Sequence, residues 1–365
     1  MSVALLRTAW STVPIQLATS TSPSVNPADG NWKGLVPLPA RKILISALTT
    51  AQGITKSTPT ATIPTKAFTA TPPNRLHRME SRQIPETELI LHPDGSVYHL
   101  CLKPEHLGRT IFTVGDPDRV ATVSQHLDQL DFQLQNREFI THTGWKNGHR
   151  VSVISTGMGT DNVEILMTEL DALVNVDLQT RQVKEKKTSL PIIRIGTSGS
   201  LQTDISVGTL LASEIAIGMD SLMAYYPALS GTQDFAEAIQ QELGLSFRPY
   251  QASASPKLLA KLDSAVTRGV TLTCPGFYAP QGREVRLKPR FDQLIERLAA
   301  LQIKGRSLTN FEMETAGYYA LGELLGHEVL SLNAILANRP LKKFDSAGEA
   351  TVSKAIQLAL TTFCP

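Results

Sequence analysis

The sequence predicts an α/β fold in which helices cover a central sheet, and three observations carry that expectation. From about Ile84 onward, short apolar runs rich in β-branched residues alternate with longer amphipathic ones, the pattern of strands and helices stacked in layers. Glycines stand where several of the strands end, as rim loops of an open sheet require. With 365 residues and an apolar fraction of 42%, the chain has material for one large domain or two smaller ones.

The first 78 residues stand apart from this pattern. Stretches such as "STSPSVNPADG" and "TKSTPTATIPTKAFTATPPNRLHR" are rich in Ser, Thr and Pro and lack sustained periodicity, a composition that does not build a core. It resembles an organelle transit peptide; a disordered tail, or translated sequence upstream of a start at Met79, are the alternatives. The domain expected to fold is therefore 79–365. Within it, "TIFTV", "HRVSVIST", "PIIRIG", "GTLLASEIAIG" and "VLSLNAIL" read as buried strands bounded by turn signals. Between them "NVEILMTELDALV", "FAEAIQQELG", "SPKLLAKLDSAV", "FDQLIERLAAL" and "METAGYYALGELLG" carry helical spacing. The basic run "QTRQVKEKKTS" before Ile192 reads as a solvated helix end or loop.

Charge and composition exclude several classes. The first 78 residues carry eight Lys/Arg against one acid, so the rest of the chain is net about −5; an acidic body argues against nucleic acid as partner. No apolar run spans a bilayer, and "MSVALLRTAW" lacks the sustained apolar centre of a secretory signal. Cys101, Cys274 and Cys364 form no close pair and no metal-ligand spacing, a usage that suits a reducing cytoplasm. There is no Walker-type loop and no dinucleotide fingerprint, so a nucleoside triphosphate or dinucleotide is not indicated.

The glycine-bearing strand ends are "VGDPDR" from Val114, "STGMGTDN" from Ser155 and "RIGTSGS" from Arg194. Glycine lets backbone N–H groups approach an anion closely. Arg119, Arg194 and Thr197 lie in these loops, and with Arg137 of "NREF" they have the guanidinium forks for a multidentate oxyanion site. Taken singly, "GDPDR" is a turn with a helix N-cap, and Arg137 a surface ion-pair partner. In "PGFYAPQGREVR", Phe277 precedes Gln281 and Arg283 around a glycine, residue types suited to reading the edge of a flat polar ring. Glu312 and Glu314 of "NFEMETAG" are two apart and so not paired on a regular helix. At a helix start, one faces a pocket while the other stabilises the N-terminus, or both simply compensate the helix dipole.

The motifs "GDPDRV", "REF", "STGMG", "RIGTSG", "FYAPQGR" and "EMET" occur in the order and approximate spacing of the nucleoside phosphorylase-I family. The Gln281/Arg283 pair resembles its uridine phosphorylase branch, and the match runs from roughly Val97 to Asn338. The resemblance implies a three-layer α/β fold with a mixed, partly closed central β-sheet flanked by helices. It implies reversible phosphorolysis of uridine, or a related pyrimidine nucleoside, to uracil and ribose 1-phosphate. Gly115, Arg119, Arg194 and Thr197 would hold phosphate, with Arg137 reaching it from a neighbouring subunit. His99 of "VYHL", by itself a half-buried strand histidine, would cross the same interface to the ribose 5′-hydroxyl. Met313 and Glu314 would lie against the ribose, Phe277 would pack on the nucleoside, and Gln281 and Arg283 would read the base. Arg283, Gln281 and Arg194 would carry the catalysis. The implied assembly is a homo-oligomer, dimer or hexamer, with shared sites; phosphate is a co-substrate and no cofactor is implied.

Two departures from the family are visible. Its purine branch and its nucleosidases place an aspartate after the strand near Ala337, where this chain has Asn338 and Arg339, against purine chemistry. "STGMGTDN" differs from the "GGPS" pattern of bacterial uridine phosphorylases, with Asn162 about where a potassium-binding serine stands; Glu138 is retained, yet the departure weighs against a monovalent cation between subunits. The competing readings are a purine nucleoside phosphorylase, a nucleoside hydrolase, and a non-catalytic nucleoside-binding or storage protein.

Overall fold

The structure, a computed structural model, describes residues 82–365. The extension expected over 1–78, with Met79, lies outside the described residues. In chain order the first half holds β1 (Thr110–Val114), α1 (Asp118–Ser124), β2 (Gln129–Asn136), β3 (Phe139–Lys146), β4 (His149–Ser155), α2 (Thr160–Asn175), β5 (Val176–Asp177), β6 (Gln182–Val183), β7 (Pro191–Ser200) and β8 (Leu210–Gly218). The second half holds α3 (Asp234–Leu243), β9 (Tyr250–Ser253), α4 (Pro256–Leu259), β10 (Thr267–Thr273), α5 (Leu294–Ala300), β11 (Gln302–Ile303), β12 (Arg306–Ser307), β13 (Asn310–Glu312), α6 (Thr315–Leu325), β14 (Glu328–Asn338), β15 (Lys343–Phe344) and α7 (Gly348–Phe363).

The central sheet is mixed, in the order β15-β14-β8-β10-β13-β7-β1-β4-β3-β2, with β9 on β8 and a further pairing of β14 with β7. That last pairing closes the circuit β7–β14–β8–β10–β13 into a small barrel, while β1, β4, β3 and β2 continue as an open sheet. Length makes this possible. Strand β7 pairs in parallel with β1 through Ile192–Arg194 and antiparallel with β13 through Gly199 and Ser200, so its two halves belong to different neighbours. Register shifts at Gly269/Val270 and Ile335/Ala337 bend the barrel strands, as bulges do. The partly closed mixed sheet implied by the motifs is therefore present.

All five strands read from apolar runs form, as β1, β4, β7, β8 and β14. They are parallel or doubly covered, so both faces need apolar side chains. By contrast β2 and β3, an antiparallel hairpin, escaped the sequence reading because β2 is half solvated and its alternation is mostly polar. Helix α2 packs on α6, α6 covers β8 and β9, and α7 covers β14 and β7. One expectation needs correction: "SPKLLAKLDSAV" yields only the single turn α4. Ser255 caps it by accepting from the Leu258 N–H at 3.2 Å, but Asp263 then accepts from the Ala265 N–H and turns the chain into β10. The basic run before β7 is mostly exposed and irregular, with β6 as its only strand.

Candidate active site

Strand ends and two loops enclose a cavity of about 680 Å³. Of the residues singled out from sequence, Gly115, Arg119, Arg194, Thr197, Phe277, Gln281, Arg283, Met313 and Glu314 line it. They fall into two groups, one around Arg194 and one around Arg283.

The first group centres on Arg194. Its backbone lies in β7, paired with Thr113 on one side and Ser331 on the other, and the residue is only 4% exposed. Nη2 reaches Glu314 Oε2 at 2.5 Å and Glu312 Oε2 at 3.2 Å. Nη1 donates to Ser331 Oγ and Asn333 Oδ1, both at 3.3 Å. The guanidinium folds back over Gly196, where a Cβ would stand 1.9 Å from Nη1; only glycine leaves room for it. Burial alone would lower the basicity of Arg194, but Glu312 and then Glu314 outweigh it and hold the guanidinium above its ordinary range. Burial pushes the Glu314 carboxyl up against the pull of Arg194.

Both glutamates line the cavity, and they differ in their backbone partners. Glu312 ends a strand, and its Oε2 accepts from the N–H groups of Glu314 and Thr315, both at 2.9 Å, neutralising the start of α6. Glu314 faces the cavity and accepts from the Gly159 N–H at 2.9 Å, where φ of +99° at the N-cap of α2 requires glycine. Both nonetheless converge on Arg194: they are not on one regular helix, because the strand-to-helix junction falls between them.

Arg119 projects from α1 into the same end of the cavity. Its basicity is lowered mainly by burial, and the Arg194 charge adds to this against Asp116. Two guanidinium groups thus stand beside glycine loops at the ends of β1 and β4, with Glu312, Glu314 and Asp116 as their carboxylate neighbours.

The second group sits in the loop after β10. A 3-10 turn, Ala279–Gln281, ends at Gly282 with φ of +66°, which reverses the chain between Gln281 and Arg283. Arg283 Nη1 donates to Gln281 Oε1 at 2.7 Å and to the Phe277 carbonyl at 2.5 Å. Its guanidinium stacks 3.7 Å from the centre of the Phe277 ring, and Phe277 is 49% exposed. Burial, followed by the neighbouring Arg339 charge, lowers Arg283 to about 10.

Arg339 was read from the sequence only as a departure from the purine pattern. In the structure its Nη1 donates to the Gln281 carbonyl at 3.0 Å, so this run adds a cation beside the Gln281/Arg283 pair. Asn338 is turned inward: Nδ2 donates to the carbonyls of Gln202 and Ile205, both at 2.9 Å, and Oδ1 accepts from the Leu341 N–H. An aspartate there would face those carbonyls without a proton to give.

Arg137 and His99 do not line the cavity. They lie close together, and Glu138, next to Arg137 in the chain, does line the cavity; the Arg137 guanidinium is 5.7 Å from the Tyr98 ring, which meets His99 edge-on at 4.9 Å. His99 Nδ1 is 2.7 Å from Glu169 Oε1, and Asn136 Nδ2 donates to the His99 carbonyl. Asn162 donates weakly to the Met158 carbonyl at 3.4 Å. Among the described residues no three His, Cys, Asp or Glu side chains converge as a metal site.

Sequence reasoning missed Ser331 and Asn333, though a signal was there. They are polar residues two apart in the apolar run "VLSLNAIL", and that spacing puts both on one side of a strand.

The family model described as the phosphorylase superfamily matches residues 109–363. The chain belongs to this superfamily. It is 28% identical to a uridine phosphorylase of Thermococcus kodakarensis over 75% of this chain and 87% of that one. It is 30% identical to a DeoD-type purine nucleoside phosphorylase of Caldanaerobacter subterraneus over 64% of this chain and 84% of that one. Among solved structures, a Trypanosoma brucei nucleoside phosphorylase described as showing uridine phosphorylase activity superposes with a TM-score of 0.66. Sequence identity to it is 28%, covering 75% of this chain and 99% of the other.

Proposed function

We propose that this protein catalyses the reversible phosphorolysis of uridine to uracil and ribose 1-phosphate. The observation that carries the reading is the union, in one cavity, of an arginine-rich anion end with a Gln281/Arg283 pair suited to a pyrimidine edge. Relatives named uridine phosphorylase, and a nucleoside phosphorylase described as showing that activity, support it. In this scheme Gly115, Arg119, Arg194 and Thr197 bind phosphate, and Met313 and Glu314 contact the ribose, with Glu314 accepting from its hydroxyls. Phe277 packs on the nucleoside. Gln281 offers an acceptor and a donor side by side to uracil N3–H and O2, and Arg283 donates to O4. Cytosine mispairs with this set, and a site built on hydrogen bonds rejects mispaired analogues strongly.

A phosphate oxygen forms the new bond to ribose C1′ as the C1′–N1 bond breaks, with inversion at C1′. The bonding pair leaves on uracil, where Arg283 and Gln281 stabilise the developing anion; the cationic ribose is stabilised by phosphate. A pentosyl group passes between two nucleophiles with no net oxidation, so the balanced reaction calls for no redox cofactor. Binding uridine also requires the self-paired groups to exchange partners: Arg283 must leave Gln281 Oε1, and Glu314 must share Arg194 with phosphate.

His99 and Arg137 cluster without themselves lining the cavity of their own chain, which supports a homo-oligomer, at least a dimer, in which both reach a neighbour's site. The three cysteines are unpaired, in keeping with a reducing compartment such as the cytoplasm. No described helix is long and apolar enough to cross a membrane.

The test is uracil release from uridine by purified protein, with and without phosphate, beside inosine and cytidine. Strictly phosphate-dependent loss of uridine alone is expected. Phosphate-independent cleavage, or preference for inosine, overturns the substrate assignment.

A further inference from the structure

The interior of a small barrel is ordinarily filled by apolar side chains. Here part of it is polar. From Arg194 a chain of hydrogen bonds crosses all five barrel strands. Arg194 Nη1 donates to Asn333 Oδ1 on β14 at 3.3 Å, and Asn333 Nδ2 donates to Ser213 Oγ on β8 at 3.0 Å. Ser213 Oγ meets Thr271 Oγ1 on β10 at 2.5 Å, and Thr271 donates to Asn310 Oδ1 on β13 at 2.9 Å. Asn310 Nδ2 then donates to Ser198 Oγ at 3.0 Å, back on β7 and at the cavity wall. Asn333, Ser213, Thr271 and Asn310 are fully buried. The network therefore begins and ends on the strand that carries Arg194.

Such a network is costly where half satisfied and rigid where complete. Along this path each link has a partner, so it restricts the strands and the side chain at its end. Glu312 and Glu314 grip Nη2 of Arg194, but they leave the plane of the guanidinium free to swing about that contact. The acceptors on β14 remove this freedom by holding Nη1.

We propose that Asn333, assisted by Ser331, is a positioning residue for Arg194, and that the polar ring inside the barrel sets the angle at which this guanidinium meets phosphate. The inference rests on the phosphate role given to Arg194 above. Asn333 itself is not placed against substrate; it acts through Arg194.

The test compares Asn333→Leu and Ser331→Ala with the unmodified enzyme. The readouts are phosphate KM, uridine KM and kcat, together with phosphate binding by titration calorimetry in the absence of nucleoside. Asn333→Leu is expected to weaken phosphate binding and raise phosphate KM about tenfold, roughly 1.4 kcal/mol, with uridine KM changed less than twofold. Ser331→Ala, a smaller change, should raise phosphate KM two- to threefold. The double variant Asn333→Leu/Ser213→Ala removes the partner that Asn333→Leu strands; it should regain thermal stability while phosphate affinity stays low.

Unchanged phosphate affinity in a folded Asn333→Leu or Ser331→Ala protein overturns the proposal. So does recovery of phosphate affinity in step with stability in the double variant, which marks Asn333 as merely structural. Calorimetry keeps the two readings distinguishable. If the unmodified protein binds phosphate but does not cleave uridine, the substrate assignment fails while the positioning test still reads; if it binds no phosphate, the proposal falls with the role given to Arg194.

Discussion

Arg194 and Arg283 face the same cavity, yet one is built into a sheet and the other into a loop. Arg194 hangs from a strand paired on both sides and is held by two carboxylates, a hydroxyl and an amide. Arg283 follows a 3-10 turn and lies on a half-exposed aromatic ring, bonded to a neighbouring side chain and a carbonyl of its own loop. The difference separates two tasks. On the proposed reading, an anion of fixed shape is met by a rigid set, while a base that must enter and leave is met by groups that satisfy one another until it arrives. It also separates function from stability, because removing a member of a buried charge network leaves its partners unpaired.

The largest effect is expected from Arg194→Ala. Losing one well-placed donor costs on the order of 10²–10³ in rate, and stranding Glu312 and Glu314 should destabilise the fold by about 3–5 kcal/mol. Denaturant unfolding beside kcat/KM measures both. Arg283→Ala should also lose about 10²-fold or more in kcat, but its unfolding midpoint should stay near that of the unmodified protein. Equal loss of stability in the two variants would break the contrast between the ends.

Gly196→Ala sharpens the contrast without touching a charge. Its Cβ occupies the space of the Arg194 guanidinium, so phosphate KM should rise about tenfold, on the scale of 1–2 kcal/mol for a displaced side chain, with uridine KM little changed. A crystal structure of the variant with Arg194 in place would contradict this.

A smaller effect concerns acid pH. Burial raises the Glu314 carboxyl; on the proposed reading its ionised form accepts from both Arg194 and ribose hydroxyls, so protonation as pH falls should remove activity. The acid limb of kcat/KM should therefore lie above the ordinary carboxylate range, and Glu314→Gln should abolish the limb at reduced activity. Smallest of all, Phe277→Leu should raise uridine KM only a few-fold, because Phe277 is already half exposed; phosphate KM should not move.

Much of this was legible in the sequence because the relevant groups are local. The β-branched runs of β1, β4, β7, β8 and β14 announce buried strands, and the glycines after them announce loops that admit backbone near an anion. Phe277, Gln281 and Arg283 lie within one short loop, so their joint use is visible in a dozen residues. Helix α4 was overread since Leu258 and Leu262 keep helical spacing while Asp263 turns the chain, and β2 was missed because a half-solvated strand carries few apolar residues.

The alternation of strands and helices, the glycine-bearing rims and the types of side chain available for an anion and a flat polar ring can all be read along the chain. How those side chains pair follows from the folded arrangement alone. The closure of β14 onto β7 brings Ser331 and Asn333 beneath Arg194, more than a hundred residues away in the chain. The strand-to-helix junction between Glu312 and Glu314 turns both carboxylates toward one guanidinium. Such contacts depend on which strands become neighbours, and periodicity records only which face of a strand is buried, not what lies across from it.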